Sequence, residues 1–194
     1  MLSLRIDAAY YGKSLPVIRA FSLTARKGAR ICLKGPSGAG KTTILKIIAG
    51  LHKDFKGEIN LDGARTAYAP QATGLLPWKR VINNIMLLGE TKNRVRAIEL
   101  LKNLGLEKFE RRFPAELSGG QRQRIALLQA LYFEPNILLL DESFSALDGV
   151  SKLEAQEVLD EFLKETDCLL IMVSHNDSEA EFLNCKTVYV GNEK

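Results

Sequence analysis

The chain contains few of the residues that build disulfide or metal-bound frameworks. Its 194 residues include only three cysteines, Cys32, Cys168 and Cys185, and these are far apart in the sequence. No Cys-x-x-Cys or paired cysteine–histidine spacing occurs, so the pattern predicts neither a disulfide scaffold nor a structural zinc site. Isolated cysteines of this kind are typical of a reducing compartment, and we expect a cytoplasmic protein.

Long apolar runs and strong charge are also missing. The longest apolar stretches lie within residues 137–140 and 168–173, far short of the ~20 residues that span a bilayer. The first residues lack the basic start and apolar core of a secretion signal. The net charge is only +4, and the basic residues near 108–112 and 122–124 form short runs. We therefore expect any membrane role to be peripheral or through a partner, and we expect no nucleic-acid partner.

Strand-like and helix-like segments alternate along the chain, which predicts an α/β fold with a mostly parallel sheet. The unbroken apolar runs "ILLL" and "LLIMV" are typical of central parallel strands that are covered on both faces. The segment from about Val81 to Arg112 is predicted to be wholly helical and to form a small helical subdomain. The predicted strands are Leu2–Ala8, Arg30–Lys34, Gly57–Leu61, Thr66–Ala69, Ile137–Leu140, Leu169–Val173 and Thr187–Val190. The predicted helices are Lys41–Ala49, Lys92–Leu104, Gln121–Phe133, Lys152–Lys164 (opened by Ser151 and Glu154 at capping-box spacing) and Ser178–Leu183.

A phosphate-binding loop is predicted between the second strand and the first helix. The sequence "GPSGAGKTT" matches G-x-x-x-x-G-K-[ST] in the strand–loop–helix context that this motif requires. Glycines let consecutive N–H groups point at phosphate oxygens, and the N-terminus of the helix adds favourable potential. Lys41 is expected to reach the β- and γ-phosphates, and Thr42 to place its hydroxyl on Mg²⁺. The predicted phosphate-binding residues are Gly35, Pro36, Ser37, Gly38, Ala39, Gly40, Lys41, Thr42 and Thr43.

Two carboxylates follow the apolar run "ILLL" at the predicted edge of the sheet. Asp141 is suited to holding Mg²⁺ because hard cations prefer oxygen ligands. Glu142 is then placed to orient or deprotonate the water that attacks the γ-phosphate. Two further polar side chains, Gln71 and His175, also follow predicted strands. Gln71 is a candidate for contact with Mg²⁺ or the attacking water, and His175 is a candidate for contact with the γ-phosphate. Each of these four side chains has a plainer alternative, as a solvated or structural polar group.

The ordered motifs resemble those of the ATPase subunits of ATP-binding cassette (ABC) transporters over nearly the whole chain. They comprise the loop just described, Gln71, "LSGGQ" at residues 117–121, "ILLLDE", "SALD" at 145–148 and His175. The sequence "LSGGQ" shortly before the carboxylates is highly specific for this family. The resemblance implies a P-loop NTPase core of the RecA-like type, with an antiparallel N-terminal β subdomain and an inserted helical subdomain. It implies one nucleotide-binding domain over 1–194, with about 1–78 and 125–194 as the core and about 79–124 as the helical subdomain.

The resemblance also implies roles for residues outside the loop. Tyr11 is expected to stack on the adenine of ATP, although Tyr10 is the neighbouring candidate and a core tyrosine is the plain alternative. Gln71 is expected to be the glutamine of the family's Q-loop, and His175 its switch histidine. The signature residues are expected to contact the γ-phosphate held by a second copy, and they are Ser118, Gly119, Gly120 and Gln121.

The implied function is ATP hydrolysis, with Mg²⁺, in a subunit that powers a membrane transporter. We expect a homodimer on ATP binding, or pairing with a second ABC ATPase, together with permease subunits on the inner face of the membrane and, indirectly, a solute-binding protein. The segment "LLPWKRVINNI" at 75–85 resembles importers of nitrate, sulfonates and taurine. Asn176 and Gln129 depart from the usual Asp and Arg, which leaves the subfamily open. The alternative is an ABC ATPase of DNA repair or of the ribosome.

Overall fold

The computed structural model describes residues 1–12 and 15–191, which form eight strands and six α-helices. Two short 3-10 helices, Glu107–Phe109 and Pro114–Glu116, precede the fourth α-helix. The strands are β1 (Leu2–Ala9), β2 (Ile18–Ala25), β3 (Arg30–Lys34), β4 (Phe55–Asn60), β5 (Thr66–Ala69), β6 (Ile137–Asp141), β7 (Leu169–Val173) and β8 (Lys186–Tyr189). The helices are α1 (Lys41–Ile48), α2 (Val81–Ile85), α3 (Arg94–Asn103), α4 (Gly119–Tyr132), α5 (Gly149–Glu165) and α6 (Asp177–Phe182).

The chain divides into two compact units. The first comprises the described residues of Met1–Tyr68, Asn136–Asp141 and Asp167–Lys194. The second comprises Ala69–Pro135 and Glu142–Thr166. The boundary between the units therefore falls between the two adjacent carboxylates that follow the apolar run "ILLL".

A five-stranded sheet with the order β5-β6-β7-β3-β8 carries the phosphate loop of the first unit. The pairs β6–β7, β7–β3 and β3–β8 are parallel, as predicted. Every residue of β6 and β7 is buried, which explains their unbroken apolar sequences. Ile44 and Leu45 of α1 pack in the same hydrophobic core as Leu139 and Ile171, so the helix after the loop is anchored to the sheet.

An antiparallel sheet with the order β2-β1-β4 completes the first unit, which confirms the predicted antiparallel N-terminal subdomain. Strand β2 was not among the predicted strands. Its buried residues Ile18, Phe21 and Leu23 do not keep a period of two, because Ala20 adopts a left-handed conformation with φ of 50°. Because of this local irregularity, the apolar residues of β2 do not alternate as in a regular strand, and the sequence pattern did not predict it.

The second unit contains α2, α3, α4 and α5. The prediction of a wholly helical segment from Val81 to Arg112 is wrong after α3, where turns and one 3-10 helix follow, and between α2 and α3. There the Lys92 ammonium donates hydrogen bonds to the carbonyl oxygens of Met86, Leu87 and Gly89, and the Asn93 side chain accepts one from the Arg96 N–H. These bonds end one helix and cap the next, so side-chain chemistry decides the break.

Helix α5 begins at Gly149, three residues before the predicted start at Lys152. Asp148, not Ser151, is the N-cap, and its carboxylate accepts a hydrogen bond of 3.0 Å from the Ser151 N–H. The hydrogen bond from this N–H is the largest cause that lowers the pKa of the Asp148 carboxyl below its usual range. A hydrogen bond from the Ser151 hydroxyl lowers that pKa further. Among the described residues, no helix combines the length and the apolar character needed to cross a bilayer.

Replacement of the α5 cap tests this assignment. Asp148→Ala removes the acceptor for the Ser151 N–H, so we expect the melting temperature at pH 7 to fall by a few degrees. Because the pKa of the folded carboxyl is lowered, the contribution is present above its unfolded pKa and is lost as the pH falls through the folded pKa. The difference from the parent protein should shrink over that range. Ser151→Ala is the matched control, and a larger loss for it than for Asp148→Ala would contradict the assignment.

Candidate nucleotide-binding and catalytic site

The loop between β3 and α1 depends on two glycines for close approach. Gly35 has φ of 144°, and a Cβ there would lie 2.2 Å from the Val190 carbonyl oxygen. Gly40 has φ of 93°, and its Cβ would lie 2.4 Å from a side-chain carbon of Ile18. No residue with a side chain fits at either position without movement of its neighbours. The glycines of the motif are thus required by packing as well as by the approach of a phosphate.

The Lys41 side chain lies across this loop. Its ammonium donates hydrogen bonds of 2.8 and 2.9 Å to the carbonyl oxygens of Gly35 and Pro36, and the residue is only 7% exposed. The positive charge is therefore held over the loop by neutral acceptors. An anion entering the loop meets an ammonium that can exchange these carbonyl oxygens for phosphate oxygens.

The Asp141 carboxylate at the end of β6 is held by two hydroxyl groups. Thr42 donates a hydrogen bond of 3.1 Å to its Oδ1, and Tyr68 donates one of 3.0 Å to its Oδ2. Asp141 is 3% exposed. Burial first, and then the neighbouring carboxylate, raise the pKa of Tyr68 far above its usual range, so the phenol remains a donor. Tyr68 was not predicted as a site residue, and its only sequence signal is its position in a strand that ends near Gln71.

These residues fit a magnesium ion that is shared with a nucleotide. Among the described residues no cluster of three or more His, Cys, Asp or Glu side chains is able to hold a metal by itself. Mg²⁺ in nucleotide sites is bound through one or two protein oxygens, with substrate phosphates and water completing the octahedron. The buried carboxylate of Asp141 and the adjacent Thr42 hydroxyl supply that kind of partial donor set.

Tyr11 lies beside the phosphate loop in the same unit. Its hydroxyl is 3.4 Å from the Thr43 hydroxyl, and its ring centroid is 4.6 Å from that of His52. Its side chain is 48% exposed, which leaves part of the ring accessible to a stacking ligand. The backbone N–H of Tyr10 donates a hydrogen bond to the Asp54 carbonyl oxygen. The exposed aromatic of the pair is therefore the one that the sequence favoured.

The loop that carries His175 joins β7 to α6. Its ends are fixed by a hydrogen bond of 2.7 Å from Ser174 Oγ to Glu179 and by an ion pair between Lys34 and Asp177. Asn176, which replaces the usual aspartate, caps α6 by accepting a hydrogen bond from the Ser178 N–H. His175 thus lies in the unit that holds the phosphate loop, exposed and between two fixed points.

Glu142 and Gln71 meet in the second unit. The Gln71 amide donates a hydrogen bond of 2.9 Å to the Glu142 carboxylate. Glu142 has φ of 52°, a left-handed conformation that is uncommon outside glycine and often marks a functional position. Gln123 is buried, donates to the Glu142 carbonyl oxygen at 3.2 Å and accepts from the Ala146 N–H at 2.9 Å. Gln123 was missed because a glutamine within a helical sequence carries no motif signal.

The signature residues form the N-terminus of α4, which starts at Gly119 and not at Gln121. Ser118 is the N-cap, and it forms a reciprocal capping box with Gln121 through bonds of 3.2 and 3.0 Å. A Cβ on Gly120 would lie 3.3 Å from the Ala146 carbonyl oxygen, so this glycine packs closely against "SALD". The 14-residue helix presents the N–H groups of its first turn at this end.

The first unit therefore contains Tyr11, the loop at 35–43, Asp141 and His175. The second contains Gln71, Glu142 and the signature at 118–121. Within each unit the structure brings together residues that are far apart in sequence. The hydrogen bonds of Tyr68 and Gln123 add two polar side chains that sequence patterns did not indicate.

A phosphate-binding loop and a buried aspartate on a parallel α/β sheet define the class of P-loop nucleotide triphosphatases. The family profile described as ABC transporter matches residues 18–145. The aliphatic sulfonates import ATP-binding protein SsuB 1 of Rhodococcus jostii (strain RHA1) is 40% identical over 87% of this chain and 70% of that protein. The taurine import ATP-binding protein TauB of Pseudomonas aeruginosa (strain PAO1) is 38% identical over 89% of this chain and 70% of that protein.

Solved structures agree with the sequence comparison. A dimeric ATP-binding cassette in a post-hydrolysis state, bound to ADP and Pi, superposes with a TM-score of 0.87 at 27% identity and covers 98% of this chain and 94% of that chain. The chain belongs to the ABC transporter family and is an ATPase that uses ATP with Mg²⁺. The predicted family and fold class are confirmed.

Two loop glycines with positive φ provide a test of the close packing at Gly35. Gly35→Ala places a methyl group against the Val190 backbone, whereas Gly38→Ala, with φ of 80°, places it in open space. Both variants carry the strain of a positive φ, so the difference between them reports the contact with Val190. We expect Gly35→Ala to lose about 1–3 kcal/mol more unfolding free energy than Gly38→Ala. Denaturant unfolding measures the loss of stability, and ATP affinity in EDTA measures the effect on nucleotide binding by the loop. Equal losses for the two variants would contradict the close approach at Gly35.

Proposed function

We propose that two copies of this chain bind and hydrolyse ATP between them and thereby drive the import of sulfonated small solutes through a membrane permease. The observation that carries the proposal is the buried Asp141 carboxylate bonded to Thr42 beside a complete phosphate loop. The names of the similar proteins, aliphatic sulfonate and taurine import ATP-binding proteins, support the direction and the solute class. The chain then acts at the cytoplasmic face of the membrane, with a solute-binding protein as an indirect partner.

The phosphate loop and Lys41 bind the triphosphate of the chain's own ATP. Backbone N–H groups of this loop contact the phosphate oxygens, and the Lys41 ammonium moves from the Gly35 and Pro36 carbonyls to the β- and γ-phosphates. Thr42 and Asp141 would hold Mg²⁺, which would supply positive charge against the phosphate groups during phosphoryl transfer. Tyr11 stacks on the adenine with its exposed ring.

Glu142 orients and deprotonates the attacking water. Its carboxylate accepts the Gln71 amide hydrogen, and its left-handed backbone gives the side chain a direction that an ordinary strand end would not. Gln71 would contact that water or the Mg²⁺ ion, which would link hydrolysis to the segment that follows Gln71. His175 contacts the γ-phosphate and stabilises the charge that develops there.

The signature helix binds the ATP of the partner copy. The N–H groups at the start of α4 carry the positive end of the helix dipole, and the Ser118 hydroxyl lies at the same end. Gly119 has open space where a Cβ would lie, so the backbone there is accessible to a phosphate. One chain thus supplies half of each of two sites, and closure of the dimer requires ATP in both.

The segment after Gln71 provides the contact with the permease. Trp78 is 71% exposed, yet its neighbours are fixed by the fully buried Asn84. The Asn84 side chain accepts a hydrogen bond from the Leu76 N–H and donates to the carbonyl oxygens of Leu76 and Lys79. A rigid segment that displays a large aromatic side chain suits docking of a partner helix.

A carboxylate-to-amide variant tests the proposed ATPase dimer. Glu142→Gln keeps the size of the side chain but removes the base, so we expect turnover to fall by at least about a hundredfold while ATP binding persists. The ATP-bound variant should elute as a dimer in size-exclusion chromatography. Adding Ser118→Arg to it should abolish that dimer without weakening binding at the chain's own loop. Parent-like turnover of Glu142→Gln, or a dimer that survives Ser118→Arg, would contradict the assigned roles.

Growth on defined sulfur sources tests the proposed transport role. A strain that lacks this chain should fail to grow with taurine or an alkanesulfonate as the sole sulfur source but should grow on sulfate. The parent gene should restore growth, and Glu142→Gln should not, because binding without hydrolysis cannot power import. Normal growth of the deletion strain on sulfonates would overturn the solute class while leaving the ATPase assignment intact.

A further inference from the structure

Tyr68 contacts the Asp141 carboxylate on the oxygen that Thr42 does not use. Tyr68 belongs to β5 and Asp141 to β6, which are neighbours in the sheet. The phenol donates to Oδ2 at 3.0 Å, while Thr42 donates to Oδ1 at 3.1 Å. Two donors from different elements therefore hold the two oxygens of one buried carboxylate.

Two hydrogen bonds restrict this carboxylate in a way that one cannot. The torsion that turns a carboxylate about its Cβ–Cγ bond has a broad energy profile, so a single donor leaves considerable rotation. A second donor on the other oxygen fixes the plane of the group. It also satisfies an acceptor that is removed from water, since Asp141 is 3% exposed.

We propose that Tyr68 is a positioning residue for Mg²⁺, because it orients the Asp141 carboxylate toward the ion held with Thr42. The proposal rests on the proposed metal-binding role of Asp141. Groups that hydrogen-bond a metal-binding carboxylate commonly change metal affinity by about 10- to 100-fold when they are removed. Tyr68 itself is not a ligand, and it acts through Asp141.

Two plainer accounts of Tyr68 make different predictions. Its ring is half-buried and packs against the core of the first unit, so Tyr68 as a packing residue would contribute stability alone. Loss of the phenol also removes a hydrogen bond that partly neutralises the Asp141 carboxylate. This change on its own would strengthen Mg²⁺ binding. The proposal requires that orientation outweighs this gain, so the affinity for Mg²⁺ must fall.

The test is Tyr68→Phe, which removes the hydroxyl and keeps the ring. ATP affinity is measured by displacement of a fluorescent ATP analogue, first in EDTA and then across a Mg²⁺ titration. Mn²⁺ binding in the presence of a non-hydrolysable ATP analogue is followed by electron paramagnetic resonance, which does not depend on turnover. We expect unchanged affinity for ATP in EDTA and about tenfold weaker binding of both ions in the variant.

Tyr132→Phe is the matched control. Its hydroxyl donates to the Thr91 carbonyl oxygen at 2.7 Å and accepts from the Asn93 N–H at 2.8 Å, in the second unit. The variant therefore loses a comparable bonded phenol whose partners are backbone groups rather than the Asp141 carboxylate. We expect lower stability with parent-like binding of Mg²⁺ and Mn²⁺. If Tyr68→Phe shows parent-like or tighter ion binding, Tyr68 is a packing residue and the proposal is overturned.

Thr42→Val separates the failure of this proposal from that of the proposed site. This variant removes a metal-binding hydroxyl, so we expect it to weaken Mg²⁺ and Mn²⁺ binding at least as much as Tyr68→Phe. Weak binding in Thr42→Val with parent-like binding in Tyr68→Phe overturns only the role of Tyr68. Parent-like binding in both variants overturns the metal site and the role of Tyr68 together.

Discussion

The hydrogen bond between the Thr42 hydroxyl and the Asp141 carboxylate is the contact on which the nucleotide site depends. Its two residues are 99 positions apart in the chain. They meet because β3 and β6 are parallel to the strand β7 that lies between them, so their carboxyl ends share one edge of the sheet. The hydrophobic core beneath, formed by buried side chains of β3, β6, β7 and α1, holds that edge in place.

Adjacent residues at the end of β6 have separate tasks. Asp141 faces the hydroxyls of Thr42 and Tyr68, whereas Glu142 faces the amide of Gln71. The left-handed backbone at Glu142 follows directly after an extended strand, and this change of conformation redirects the chain between the two carboxylates. The proposed division of work, metal binding by one and activation of water by the other, follows from these different surroundings.

Sequence patterns predicted the parallel strands and the phosphate loop because both have strong local signals. A fully apolar strand such as β7 and a glycine loop followed by Lys41 and Thr42 need no tertiary context to be recognised. Strand β2 escaped because the left-handed conformation at Ala20 breaks its alternation. The break between α2 and α3 was not predicted because it depends on hydrogen bonds from the Lys92 ammonium to carbonyl oxygens. Hydrophobic periodicity carries no information about such bonds.

The sequence by itself determined the family, the α/β class and the identity of the chemical groups, because each rests on residue types at fixed short spacing. The tertiary structure decided what those groups contact. Only the folded chain shows that Gly35 must lack a side chain because the Val190 carbonyl oxygen approaches it. It also brings Tyr68 to Asp141 and Gln123 to Glu142. Such contacts join residues that are distant in sequence, and their geometry depends on strand order and helix packing, which local patterns do not encode.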